Sequence, residues 1–595
     1  MVRSPSIVPG VGPDVLDAGR TESESDCQDS EFEYSSPRTP ARDRSDTAWE
    51  VGPALRGLRS RAAQLLQEFG RWPVLRHQFA SRAAKAATCF ALLSLFLWPA
   101  IYNGQPLFSP DTGAYIRGFD GGMVWLTGRT TAWTTWASEL RGPRQLAHNP
   151  NAEEVTSLQS PTFIIAGRSV SYGGLLYLGE LLGGLWASIA IQAAAALAAI
   201  GFTLRLLKLF SWTKFVFTAL ILSFASSLPF FTSFLLPDIF AGLALLAAAN
   251  FLALGQRLTR WEQIFWISIL TTAVVFHPSH LAIELVILAA AIVARGLSAR
   301  ISRTGVIALA VAAGVGLASE LAFGLIVQKV LGVPVARPPV VMARIVADGP
   351  GAAYLREKCP DAGLVACEFV DRLLLNSDAF LWDTSPVRGI YAPAPVEKRR
   401  QLGNEQLRLL VAVLAYNPVG QATAWLNDGF QQLTTAGISE FASAARQASP
   451  SLPRIHAERM EASSLWKKDF PLDFFSAVTI FTAILSLVFV WVTLIGSWKV
   501  VSVEQKIFCF VILLGELSNA LVCGALSGPH ERYQGRLTWL IPVVALLLYY
   551  ERWVRSDVGK LVPSGPLAPT EAANAALSAP ALGHAKIVLD RRAPH

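Results

Sequence analysis

Charge is scarce in this chain. Asp, Glu, Lys and Arg make up 16% of its 595 residues, against about 25% in soluble domains. So few charges cannot cover a large water-soluble globule. Cysteine is also scarce, at 6 residues, and no pair stands at metal-site spacing. Cys89, Cys509 and Cys523 lie in apolar runs, where a small buried hydrophobe is the expected role. No Gly-rich phosphate loop sits on a strand-to-helix turn, which argues against cytoplasmic nucleotide-sugar chemistry. No basic face with interleaved aromatics is present. The net charge of +7 is therefore read as membrane orientation, with no nucleic-acid partner. No cleavable signal peptide is evident, since roughly eighty residues precede the first apolar run.

Apolar surface is abundant instead. Hydrophobic residues are 52% of the chain and the mean hydropathy is +0.39. Runs of about 20 apolar residues recur along most of it. The fold class expected is an all-α polytopic membrane protein, with about ten transmembrane helices and two large extracytoplasmic loops. Spans are read at about 86–102, 182–204, 214–231, 237–255, 262–278, 279–295, 304–331, 473–497, 506–527 and 535–551. The 17 Trp and 32 Phe suit rings placed at a bilayer boundary, with membrane lipids as partners.

The remaining segments divide by composition. Residues 1–53 are rich in Ser, Asp, Glu, Pro and Arg, cannot bury enough apolar surface to fold, and are expected to be a disordered cytoplasmic tail. Residues 54–85 are basic and amphipathic, fitting a helix on an anionic inner leaflet or a solvated helix entering the first span. The N-terminal transmembrane region, 86–331, holds a first outer loop at 103–181 with one or two short surface helices. An extracytoplasmic loop or cap follows at 332–472. The C-terminal transmembrane region is 473–552, and a disordered cytoplasmic tail runs from 553 to 595.

Lys and Arg orient the spans. With the N-terminus inside, the inner loops hold Arg205, Lys208, Lys214, Arg257, Arg260, Arg295, Arg300, Arg303, Lys499, Lys506, Arg552 and Arg555. Both long loops then fall outside, as in a bacterial inner (plasma) membrane protein. Cys359 and Cys367 are the cysteines of that oxidising side, eight positions apart, and a disulfide between them is predicted.

The same topology gathers polar residues at the outer face. Asp111 follows the first span, Pro237-Asp238 opens the fourth, His277 and His280 mark a turn, and His530-Glu531-Arg532-Tyr533-Gln534-Gly535-Arg536 precedes the last. Charges at the hydrocarbon edge are costly, so they are paired, face a cavity or serve function. Each also has a plainer reading. Asp111 and Asp238 suit helix N-termini. The two histidines could bind metal, but hydrogen bonding at a turn needs fewer ligands. The two arginines could grip phosphate oxygens in bidentate fashion, or join an ion-pair network with Glu531.

Three motifs carry a resemblance. Ser109-Pro110-Asp111-Thr112-Gly113-Ala114-Tyr115 stands in the first outer loop. Arg168-Ser169-Val170-Ser171-Tyr172 leads into the second span. Arg532-Tyr533 comes shortly before a final span with Pro542. Over about 85–300 and 473–552 the layout resembles the polytopic glycosyltransferases of the GT-C type, which use lipid-phosphate-linked sugars. The resemblance implies a polyprenyl-phosphate sugar donor, Asp111 as general base, and phosphate held by Arg532 and Arg536. Tyr115, Arg168, Tyr172, Asp238, His277, His280, His530 and Tyr533 are the other candidate substrate-binding residues. No cofactor is predicted; a divalent metal is left open without a motif to support it. The rival readings are a transporter or lipid/glycan flippase, which would show broken helices and inverted repeats, and a factor assembling surface polysaccharide.

Overall fold

The computed structural model describes residues 81–129, 131–133, 164–165, 169–298, 300–332, 335–373, 376–449, 452–499 and 501–561. Residues 1–53, nearly all of the basic segment 54–85, Arg168 and residues 562–595 lie outside the described residues; the start of the tail expected to be disordered from 553 is instead helical as far as Leu561.

The fold is all-α. In chain order the helices used below are α1 (Arg82–Phe96), α2 (Trp98–Asn103), α3 (Thr112–Thr127), α4 (Val170–Gly183), α5 (Leu185–Leu206), α6 (Trp212–Ala225), α7 (Leu228–Thr232), α8 (Ile239–Leu254), α9 (Arg260–Phe276), α10 (Pro278–Leu297) and α11 (Arg303–Leu331). A region of shorter helices follows: α12 (Val340–Ala347), α13 (Pro350–Lys358), α14 (Ser377–Trp382), α15 (Val396–Tyr416), α16 (Pro418–Thr434), α17 (Glu440–Ala448), α18 (Arg454–Glu461) and α19 (Ser464–Lys467). The chain then returns to long helices, α20 (Leu472–Gly496), α21 (Val503–Leu526), α22 (Glu531–Thr538) and α23 (Leu540–Leu561). Many starts are local chemistry. Ser81, Ser169, Ser211, Ser302 and Ser502 each accept a backbone N–H two or three residues inside their helix, which satisfies an otherwise orphaned donor. Thr259 and Glu262 form a reciprocal capping box at α9.

Among the described residues, six helices are long and apolar enough to cross a membrane: α5, α8 with its 3-10 extension, α10, α11, α20 and α21. A helix of 22 residues such as α5 is about 33 Å long, matching a hydrocarbon core of about 30 Å. Ten spans are expected from the sequence. The other four regions are shorter or divided. The first breaks at Leu97, ahead of Pro99. The third breaks at Ser226, ahead of Pro229. α9 is 17 residues long, and the last expected span divides at Trp539 between α22 and α23. Proline lacks the N–H that would continue the ladder, so two of these breaks have a direct cause.

α8 is the central element, with nearly every side chain buried, and α5, α9, α11 and α21 pack around it. The outer helices turn apolar residues outward instead: Phe481, Leu485, Val488 and Val492 on α20 are exposed. A two-stranded parallel pairing, Ile164–Ile165 with Val335–Ala336, joins the two long interhelical segments. The region after it has its own core, built from Met342, Ile345, Leu355, Phe380, Leu402 and Leu409 among others. The predicted disulfide is present between Cys359 and Cys367, with Cα atoms 5.4 Å apart.

Alkylation of the unreduced, denatured protein should leave Cys359 and Cys367 unlabelled, and peptide mass spectrometry should recover them as one linked pair. Replacing both by Ser should cost about 2–3 kcal/mol of stability in this region. Full labelling of both in unreduced protein would show that the bridge does not form.

Candidate functional site

The site begins with two loops stitched together. The N–H of Leu107 donates to Ser233 O and that of Leu235 to Leu107 O, both at 2.9 Å, and the Thr112 hydroxyl donates to Leu235 O at 3.1 Å. The 105–112 loop is thereby held beside the 233–238 loop. Asp111 and Asp238 stand at the N-cap positions of α3 and α8, yet neither carboxylate makes a capping hydrogen bond. The Asp238 carboxylate is directed to Arg536 instead. Below them, the Tyr115 and Tyr172 rings meet edge to face at 5.1 Å, and both are buried. Tyr172 donates to Gln192 Oε1 at 2.9 Å, and Gln192 Nε2 donates to the carbonyls of Thr232 and Phe234. These two tyrosines therefore support the paired loops from beneath.

Arg536 is almost fully enclosed, 1% exposed. Its Nη1 donates to Asp238 Oδ1 at 3.1 Å. Its Nη2 donates to Asn519 Oδ1 at 2.7 Å, to Ser279 Oγ at 3.2 Å and to Cys523 Sγ at 3.3 Å. This guanidinium is engaged on every side, so it acts as a buried strut between α8, α10, α21 and α22. Arg532 lies one turn earlier on α22 and differs. Its Nε is buried with no hydrogen-bond partner, and its guanidinium lies 5.1 Å from the centre of the Tyr533 ring. Burial opposes its charge, but Asp238, Tyr533, Asp111 and Glu440 outweigh that effect and hold it firmly protonated. A buried donor without a partner is costly in a finished fold, and it is suited to a ligand oxygen.

His530 fastens the region after the disulfide to this cluster. Its Nε2 lies 3.5 Å from Asp378 on α14 and its Nδ1 3.3 Å from Glu440 on α17. Its backbone N–H donates to Gln432 Oε1, and Gln432 Nε2 donates back to its carbonyl, both at 2.8 Å. Hydrogen bonds to Asp378 and Glu440 push the imidazole up to about 10, so it is a cation at neutral pH. Glu531 is not an ion-pair partner of Arg532. Its carboxylate accepts the Ser439 N–H at 2.9 Å, while Glu440 Oε1 accepts the Glu531 N–H at 2.9 Å. α17 and α22 thus cap one another.

The histidine turn completes the picture. Ser279 donates its N–H to His277 Nδ1, and its hydroxyl lies 2.8 Å from the same nitrogen. His280 Nδ1 donates to Ala273 O at 2.9 Å, and both groups sit behind Arg536. Among the described residues, no group of three or more His, Cys, Asp or Glu is placed to hold a metal ion.

Asp111, Tyr115, Tyr172, Asp238, His277, His280, His530, Arg532, Tyr533 and Arg536 therefore gather around one end of the bundle. Sequence reasoning missed Asn519, Asp378, Gln432 and Glu440, and also Glu516, whose carboxylate accepts a hydrogen bond from Gln534 Nε2 at 2.5 Å. Glu516 and Asn519 had a legible signal, as polar residues in the middle of an apolar run. Asp378, Gln432 and Glu440 had none, because nothing local marks a residue of one of the shorter helices that reaches a site from afar. No family model, curated protein or solved structure matches this chain.

Two outcomes follow from the geometry. Arg536→Ala leaves Asp238 as an unpaired buried charge and should destabilise the protein by about 3–5 kcal/mol in thermal or denaturant unfolding. His530 has a raised folded-state pKa, so its contribution is fully present below its ordinary value of 6.5 and fades as pH rises through about 10. The stability gap between the wild type and His530→Gln should therefore be largest near pH 6 and close above pH 10. A gap that does not change with pH would assign the effect to packing alone.

Proposed function

We propose that this chain is a multi-pass membrane glycosyltransferase that moves a sugar from a polyprenyl-phosphate donor to a lipid, glycan or protein acceptor. It works at the extracytoplasmic face, with both termini in the cytoplasm and the helices in an inner (plasma) membrane. The observation that carries this reading is the buried, unpartnered Nε of Arg532, in a cluster where Asp111 contributes to the same electrostatic environment. The resemblance of its three motifs to GT-C enzymes adds weight.

The steps assign one task to each residue. Arg532 binds a phosphate oxygen of the donor through its fork, with the Tyr533 ring behind it. As the bond from the sugar anomeric carbon to the phosphate oxygen breaks, the electron pair leaves with the phosphate, and Arg532 stabilises that charge. The acceptor hydroxyl forms the new bond to the anomeric carbon and passes its proton to Asp111. Arg536 and Asp238 neutralise each other and keep α22 in place. The disulfide agrees with an oxidising outer compartment for the region containing it.

The transporter or flippase reading has one specific observation in its favour. α15 and α16 are bent 112° apart at Asn417, and broken helices are common in carriers. The gathering of polar groups at one end of the bundle favours the enzyme.

The test is a comparison of extracted lipids and surface glycans by mass spectrometry in cells with the wild-type protein, without it, and with Asp111→Asn at equal protein level. A sugar lost in the deletion should stay lost in the variant, since removal of a general base lowers the rate about 10²–10⁴-fold. Full restoration by Asp111→Asn would remove that residue from the chemistry. An unchanged glycan profile in the deletion would move the weight to transport.

A further inference from the structure

α16 is inside out. It buries Gln421, Asp428, Gly429 and Gln432. It exposes Val419 at 74%, Leu426 at 65%, Phe430 at 68% and Leu433 at 40%. The exposed four fall at spacings of seven, four and three, which is one stripe along the helix. The buried polar groups are paired: Gln421 donates to Asp348 at 2.6 Å, Asp428 meets Arg344 at 3.0 Å, and Gln432 holds His530. A helix in water does the reverse, because its apolar stripe drives it onto the core. Thr423, Asn427, Gln431 and Thr434 are exposed beside the ridge, but an apolar ridge turned outward over buried, paired polar groups is the arrangement that hydrocarbon surroundings favour.

The position of α16 agrees. It packs along α21, one of the six helices able to cross a membrane. The approach is close to backbone contact. A Cβ added at Gly429 would lie 2.6 Å from the Leu521 side chain, and one added at Gly524 would lie 2.5 Å from the Asp428 carbonyl oxygen. The stripe on α16 therefore continues the exposed apolar side of α21, where Phe510, Leu517 and Leu521 face outward. The end of α15 next to the bend also exposes apolar residues, Leu407 and Val411. The bend at Asn417-Pro418 would let the chain enter and turn within one leaflet without crossing.

We infer that α15 and α16 form a re-entrant membrane element, with the ridge of Val419, Leu426, Phe430 and Leu433 seated in the acyl chains of the bilayer. This rests on the membrane reading above but not on the glycosyltransferase chemistry. It departs from the sequence expectation of a cap lying wholly outside the membrane at 332–472. It also makes the bilayer a structural support of the candidate site, since Gln432 on the inner face of α16 grips His530.

Spin labels in lipid nanodiscs test the inference on the full chain. Single cysteines are placed by Leu426→Cys and Phe430→Cys after Cys27 and Cys89 are replaced by Ser; Cys509 and Cys523 are buried. Phe481→Cys on α20 is the lipid reference and Glu397→Cys at the start of α15 the aqueous one. The ratio of collision with oxygen to collision with a polar nickel chelate should match Phe481 at both test positions and exceed Glu397 severalfold. Ratios matching Glu397, or exclusion of both reagents by another protein surface, would overturn the inference. An aqueous ratio at Phe481 would bring down the membrane reading itself. Leu433→Cys repeats the measurement where a label at Phe430 disturbs folding.

Discussion

The ion pair between Arg536 and Asp238 is the constraint on which the rest of the candidate site depends. Two charges taken out of water are tolerated only when each is met by its opposite and the leftover donors are satisfied. Here Asn519, Ser279 and the Cys523 sulfur take up the remaining donors of Arg536. Those partners belong to α8, α10, α21 and α22. The ends of four helices must therefore meet at one place, and a mostly apolar bundle acquires a polar centre at that end.

The position of Arg532 is a consequence. It precedes Arg536 by four residues, so both side chains leave α22 on one face. Arg536 is directed into the bundle and consumed there. Arg532 shares Tyr533 with it, as the ring lies 5.1 Å from one guanidinium and 5.6 Å from the other. It keeps a buried donor unmatched. From the other side, the strand-like bridge at Leu107 and Phe234 ties the Asp111 loop to the Asp238 loop, so two carboxylates are brought to one region by backbone hydrogen bonds. His530 then draws α14 and α17 over the same end.

Parts of this were legible in the sequence for simple reasons. Hydrophobic length marks the long helices, and capping serines and prolines mark many of their ends. The cysteine spacing, with the charge bias of the loops, pointed to Cys359 and Cys367. Alternating the ends of successive helices puts Asp111, Asp238, His277, His280 and His530 at one level from the order of spans alone. Other parts were not legible. Hydropathy does not distinguish a continuous span from one broken at Leu97 or Ser226, because the composition on both sides of the break is the same. The role of Arg536 was misjudged for a related reason: two arginines four apart look alike until Asn519 and Ser279 are seen to engage one of them. The inverted polarity of helix α16 is visible only when burial is known residue by residue.

The most direct measurement titrates a short-chain prenyl phosphate into the protein in nanodiscs and follows the phosphorus resonance, comparing the wild type with Arg532→Gln and with Arg408→Gln on the exposed side of α15. A charged hydrogen bond is worth about 1.5–3 kcal/mol, so loss of the Arg532 contact should weaken binding roughly 10–100-fold, with Arg408→Gln unchanged. Equal affinity for the wild type and Arg532→Gln would contradict the assignment of this end of the bundle as a phosphate-binding site.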